Sequence, residues 1–181
     1  MSVLYEYNHP KDLLAKVVRD ARRVHFSKSP ENACDHLFNF CVTAHSLRDW
    51  CMKYLDIEPK TPEANKFHTA CNTNDNLRYC RDIANSSKHF GLDKGKKSTV
   101  DEVNEKKSNN TAITLDGHIL EDFDMESISA EIVLASGESK SAFMFLTGTV
   151  RAWIALFDKY SIERDDRSNP AQIVIDFLPI T

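Results

Sequence analysis

Apolar positions in the first half of the chain recur at helical spacing. Over residues 11–26, Leu14, Val17, Val18, Ala21 and Val24 share one face, with Lys16, Arg19 and Arg23 opposite. A second helix is predicted to start at Ser29-Pro30-Glu31 and to run to about residue 55. Ser29 can cap it, Pro30 suits the first helical position, and Glu31 complements the positive end of the dipole. Ala33, Leu37, Phe40, Ala44, Leu47, Cys51 and Tyr54 alternate steps of four and three, which makes one buried seam. Thr61-Pro62-Glu63 repeats the start signal for a third helix to about Cys71, and residues 72–75 supply several caps. A fourth helix is expected over about 76–90, with Gly91 as its stop. No glycine precedes Gly91, so turns needing positive φ are scarce there.

The period then changes. Residues 93–110 are rich in Lys, Glu, Ser and Asn and read as an exposed connector. Residues 112–115 and 118–120 flank Asp116-Gly117, the signature of a tight hairpin, and 127–135 reads as a β-branched strand ending at Ser136-Gly137. A long helix follows over about 141–160, with Phe143, Leu146, Val150, Trp153 and Phe157 on one seam. Gly148 weakens it and points to a later start. Residues 172–178 read as a last short strand. The expected class is α+β, mainly α: an N-terminal four-helix bundle, a small antiparallel β insertion and a C-terminal helix packing back on the bundle. The chain is expected to be one domain over 1–181, with a helical part (1–92), a polar connector (93–110) and a hairpin, helix and strand part (111–181), because the short strands cannot close a core alone.

Composition narrows the classes. The 181 residues are 41% apolar, enough for a core, and no apolar run approaches the roughly 20 residues that span a bilayer. No basic-flanked apolar run occurs in residues 1–10, so no export signal is expected, and the five cysteines read as reduced thiols of a cytoplasmic protein. The net charge of −4 hides two unlike halves. Residues 1–98 carry 16 basic and 12 acidic side chains, whereas 99–181 carry 7 and 15. Positive charge concentrates at 10–28 and at Lys88, Lys94, Lys96 and Lys97, which with Arg78 form a candidate phosphate-binding rim.

The fourth helix holds the densest polar constellation. Arg78, Asp82, Asn85 and His89 step by four, three and four, so they fall on one stripe beside an inward face of Leu77, Cys80, Ile83, Ala84 and Ser87. Arg81, Asp82, Asn85 and His89 are the candidate catalytic residues, with His89 as general acid or base. Asp82 is expected to accept from Asn85 or Arg78. On helix two, His36, Asn39, Thr43 and Ser46 make a second polar stripe, expected to face a neighbouring helix. Cys41 and His45 have a spacing that can grip an ion, but no CxxC and no second ligand pair occurs, so neither metal nor cofactor is expected. P-loop, GxGxxG, nucleophile-elbow and HExxH motifs are absent.

The run from Arg81 to His89, behind the long helix at 33–55, resembles the HEPN superfamily of small helical proteins. The strings from Asp35 to Cys41 and from Asp82 to His89 also resemble those of uncharacterised bacterial proteins. The superfamily resemblance covers roughly residues 10–90 and implies a dimerising helical bundle. In mobile-element, toxin–antitoxin or phage-defence settings such a bundle is often a metal-independent endoribonuclease. In that chemistry Arg81 would stabilise the scissile phosphate and His89 would handle the proton of the 2′-hydroxyl. Eight steps of about 100° leave the two about 80° apart around the helix. Three readings follow: a non-catalytic interaction module, a ribonuclease or RNA-binding protein, and a small-molecule enzyme with a pocket between helices two and four near His36, His45 or Asp49. A second copy and RNA are the candidate partners, and no membrane contact is expected.

Overall fold

The computed structural model describes residues 5–88, 98–113 and 119–174, with the side chains of 87–88, 105–113 and 119–129 left aside. Five helices and a three-stranded antiparallel sheet make it mainly helical: α1 (Pro10–His25), α2 (Pro30–Tyr54), α3 (Pro62–Asn72), α4 (Asp75–Lys88), β1 (Val100–Ile113), β2 (Ile119–Leu134), β3 (Ser139–Ser141) and α5 (Ala142–Lys159). Two short 3-10 turns, Asp166–Ser168 and Pro170–Ile173, follow α5.

The helix starts follow local chemistry. Ser29 and Thr61 accept from the backbone N–H three residues on, and each is followed by proline in the first turn. Asn74 Oδ1 receives the N–H groups of Asn76 and Leu77 at 3.1 and 3.3 Å, which opens α4. At α1 the cap is His9, an unusual residue for that role, paired with Asp12 in a reciprocal capping box.

One buried cluster draws on all five helices and on the base of the hairpin. The α2 seam is buried from Ala33 to Cys51, but Tyr54 at its end is 46% exposed. On α5 the buried aromatic near the start is Phe145, packed 5.8 Å from the Phe40 ring, while Phe143 faces outward. Gly148 lies in the middle of α5 and does not delay its start. An added Cβ there would sit 2.5 Å from Asn76 Nδ2, so the glycine lets α5 approach α4 closely.

The sheet order is β1-β2-β3. β1 pairs along β2 from Val100↔Leu134 to Ile113↔Ile119, with irregularities after Val100 and Asn110. β3 pairs only with the base of β2, from Glu131↔Ser141 to Val133↔Ser139. The part of the expected connector from residue 100 onward is therefore strand. Its polar sequence hides this, and pairing with β2 holds it in place. The register brackets the predicted Asp116-Gly117 turn, which itself lies outside the described residues. The predicted strand at 127–135 is the second half of a longer one. The second turn carries Gly137 at φ +84, a conformation that suits glycine. Residues 172–173 end a 3-10 turn rather than start a strand: Asn169 Oδ1 caps it at Ala171 N–H, and Ile173 is fully buried. Residues 175–178 of that predicted strand, and Gly91, lie outside the described residues.

Candidate functional site

The start of α4 commits its first arginine at once. Arg78 Nη2 donates to Asp75 Oδ1 at 2.7 Å, a partly exposed i,i+3 pair. One turn on, the carboxylate of Asp82 is 5% exposed and turns away from the expected stripe. Its Oδ1 receives Arg81 Nε and Nη2, both at 2.8 Å. Its Oδ2 receives the Thr99 backbone N–H at 2.9 Å and the Thr99 hydroxyl at 2.6 Å. Burial pushes the Asp82 carboxyl up, but the hydrogen bonds from Arg81 and Thr99 outweigh it and hold the group below its ordinary range. Arg81 spends Nη1 on Asn72 Oδ1 at 3.0 Å, at the end of α3.

Thr99 passes the connection onward, because its carbonyl accepts from Ala135 N–H at 3.1 Å at the end of β2. Asp82 thus fastens the returning chain to α4 where the hairpin begins. Sequence reasoning gave Asp82 the partners Asn85 or Arg78 and missed Arg81 and Thr99, as well as the hold of Asn72 on Arg81. Nothing in the local pattern marks Thr99, because it is 17 residues away in the sequence. Asn85 is half-buried, and Lys88 closes α4. His89, Lys94, Lys96 and Lys97 lie outside the described residues.

The polar stripe of α2 meets α1 at Thr43, which is buried. Its hydroxyl lies 2.8 Å from the Asn39 carbonyl oxygen and 3.0 Å from Asp20 Oδ2, and receives Lys16 Nζ at 2.8 Å. Asp20, 1% exposed, also binds Lys16 directly and receives Arg23 Nη1 at 3.0 Å. His36 and Ser46 are half-buried and Asn39 is exposed. Much of the basic segment 10–28 is thereby neutralised within the molecule. Lys11 pairs with Glu163 at 2.6 Å, and Arg22 lies 5.3 Å over the Phe26 ring.

The Cys41 thiol is fully buried, and burial together with the neighbouring Cys80 thiol pushes it well up, so it stays protonated. Burial likewise raises Cys51 and pushes Cys71 up to about 12. Among the described residues no group of three or more His, Cys, Asp or Glu side chains could hold a metal ion, and no helix is long and apolar enough to cross a membrane. Asp49 lines a cavity of about 410 Å³, but the opposite wall is the N-terminal segment at Tyr7 and Asn8 rather than α4. Comparison of the chain with protein-family models, with curated proteins and with solved structures yields no match.

Proposed function

We propose that the chain is a non-catalytic interaction module with a HEPN-like helical body, acting as a homodimer. The commitment of Asp82 carries this reading. Both carboxylate oxygens are occupied, one by its neighbour Arg81 and one by Thr99, and Arg81 is further held by Asn72. A catalytic arginine must be free to meet a phosphate. Here the two residues are fasteners between α4, α3 and the hairpin. The surface supplies apolar contact instead: Phe143 is 40% exposed and Met144 63%, side by side at the start of α5, with Phe143 tilted 5.6 Å from the His25 ring.

The test pairs oligomeric state with an RNA cleavage assay. Light scattering behind size exclusion is expected to give twice the 20.6 kDa chain mass, shifting toward one on Met144→Asp, while single-stranded RNA remains intact. Cleavage by the wild-type chain that disappears in His89→Ala at unchanged thermal stability overturns the reading in favour of the ribonuclease.

A further inference from the structure

The cavity beside Asp49 has a chemistry of its own. Trp50 and Tyr54 lie one turn apart at the end of α2, and Tyr7 faces them from the segment before α1. Two of the rings are braced. The Tyr7 hydroxyl receives Arg19 Nη2 at 3.3 Å, and the Tyr54 ring meets the His9 ring edge-on, with centroids 4.4 Å apart. The polar groups around the rings are unequal. Asp49 is already engaged, because its Oδ1 receives Arg48 Nε at 3.2 Å. Lys53 lines the cavity, is exposed, and its side chain has no hydrogen bond or ion pair among the described residues. His9 backs the Tyr54 ring from outside the cavity lining. Its Nδ1 accepts from Lys11 N–H at 3.0 Å, so in the neutral ring the proton sits on Nε2, which is buried without a partner among the described residues. Burial, with Lys11 beside it, favours that neutral ring.

Three aromatic side chains, the Lys53 ammonium and a carboxylate that already faces Arg48 favour a flat ring carrying an anionic acceptor. We propose that this cavity binds a small aromatic carboxylate, its ring against Trp50 and Tyr54 and its anionic group at Lys53. A volume of about 410 Å³ admits a one- or two-ring ligand. The site is independent of the interaction reading above, because no residue of the α4 motif lines it.

The full chain tests this with benzoate as the probe and acetate, benzamide and benzylamine as controls, followed by calorimetry and by tryptophan fluorescence. The chain has two tryptophans, and Trp153 is 1% exposed, so a change in emission on binding reports Trp50. Benzoate is expected to saturate with a Kd of about 1 mM or tighter, as suits a ligand of that size in an open site. Acetate lacks the ring, benzamide the charge and benzylamine its sign, so each is expected to bind at least about tenfold more weakly. Lys53→Gln, an exposed change, is expected to weaken benzoate at least about fivefold. Asp49→Asn is expected to hold or tighten it, and Trp50→Ala to remove it, with a melting curve confirming the fold. Absence of saturable benzoate binding at about 20 mM overturns the proposal. So does equal binding of benzylamine, or an unchanged Kd in Lys53→Gln.

Discussion

Asp20 and Asp82 are both buried carboxylates held by an arginine and a threonine hydroxyl, yet they do different work. Asp20 binds Lys16 and Arg23 of its own helix and Thr43 of the next, so it closes a seam that the apolar pattern already specifies. Asp82 binds a backbone N–H 17 residues on, so it fixes where the chain returns and where the hairpin departs. A side chain that supports an existing helix contact can be replaced by another polar group at moderate cost. One that supplies the acceptor for a distant, otherwise unpaired backbone donor cannot.

The largest effect is therefore expected on the α4 side. Asp82→Ala leaves the Thr99 N–H and the Arg81 guanidinium short of an acceptor and should cost about 3 kcal/mol in denaturant unfolding. Faster hydrogen exchange at Thr99 and Val100 should accompany that loss. Because Asp82 is held below its ordinary range when folded, its contribution is present above about pH 4 and lost as pH falls through the lower folded value. Acid unfolding of Asp82→Asn should accordingly show a shallower dependence than wild type.

Asp20→Asn with its oxygen toward Thr43 and Lys16 loses the charge and turns an amide NH2 on Arg23, and should cost about 2 kcal/mol without altering exchange in the hairpin. An equal loss of protection at Thr99 in this variant would erase the contrast between the two sites. Gly148→Ala sharpens the comparison further along α4. The new methyl meets Asn76, and a helix-propensity gain of up to about 1 kcal/mol partly offsets the clash. A net loss of about 1 kcal/mol, recovered when Asn76→Ala is added, would place the cost at that contact.

The smallest effect belongs to the α1 side. Burial holds His25 below its ordinary value, so the unfolded chain takes up its proton first as pH falls. The His25 contribution is whole above about pH 6.5 and fades through the lower folded value. His9 is depressed too, chiefly by burial, and acts in the same direction. The melting temperature should drop slightly from pH 7.5 to 5.5, and less in His25→Phe.

The helical half was readable because its signals are local. Ser29, Thr61 and the prolines after them place two helix starts, and the seam of α2 follows from its spacing. The polar run from residue 100 was not readable, because β1 owes its form to pairing across the hairpin rather than to its own alternation. Phe143 was read as core because a helical wheel ranks hydrophobicity without knowing where the neighbouring helices stop. The α4 motif shows the same limit. Arg78, Arg81, Asp82 and Asn85 lie on α4, but Asp82 turns to a partner that no helical periodicity could indicate. The aromatic cavity draws its two walls from segments about forty residues apart, and only the packing of α2 against the start of α1 brings them together.

The distribution of sulfur gives the molecule a built-in clock. Cys34 is exposed, whereas Cys41, Cys51, Cys71 and Cys80 are buried among α2, α3 and α4. A thiol-reactive dye should therefore modify one site within its mixing time and the others only as those helices separate. The order in which the masses appear would record which of α3 and α4 first lets go of α2.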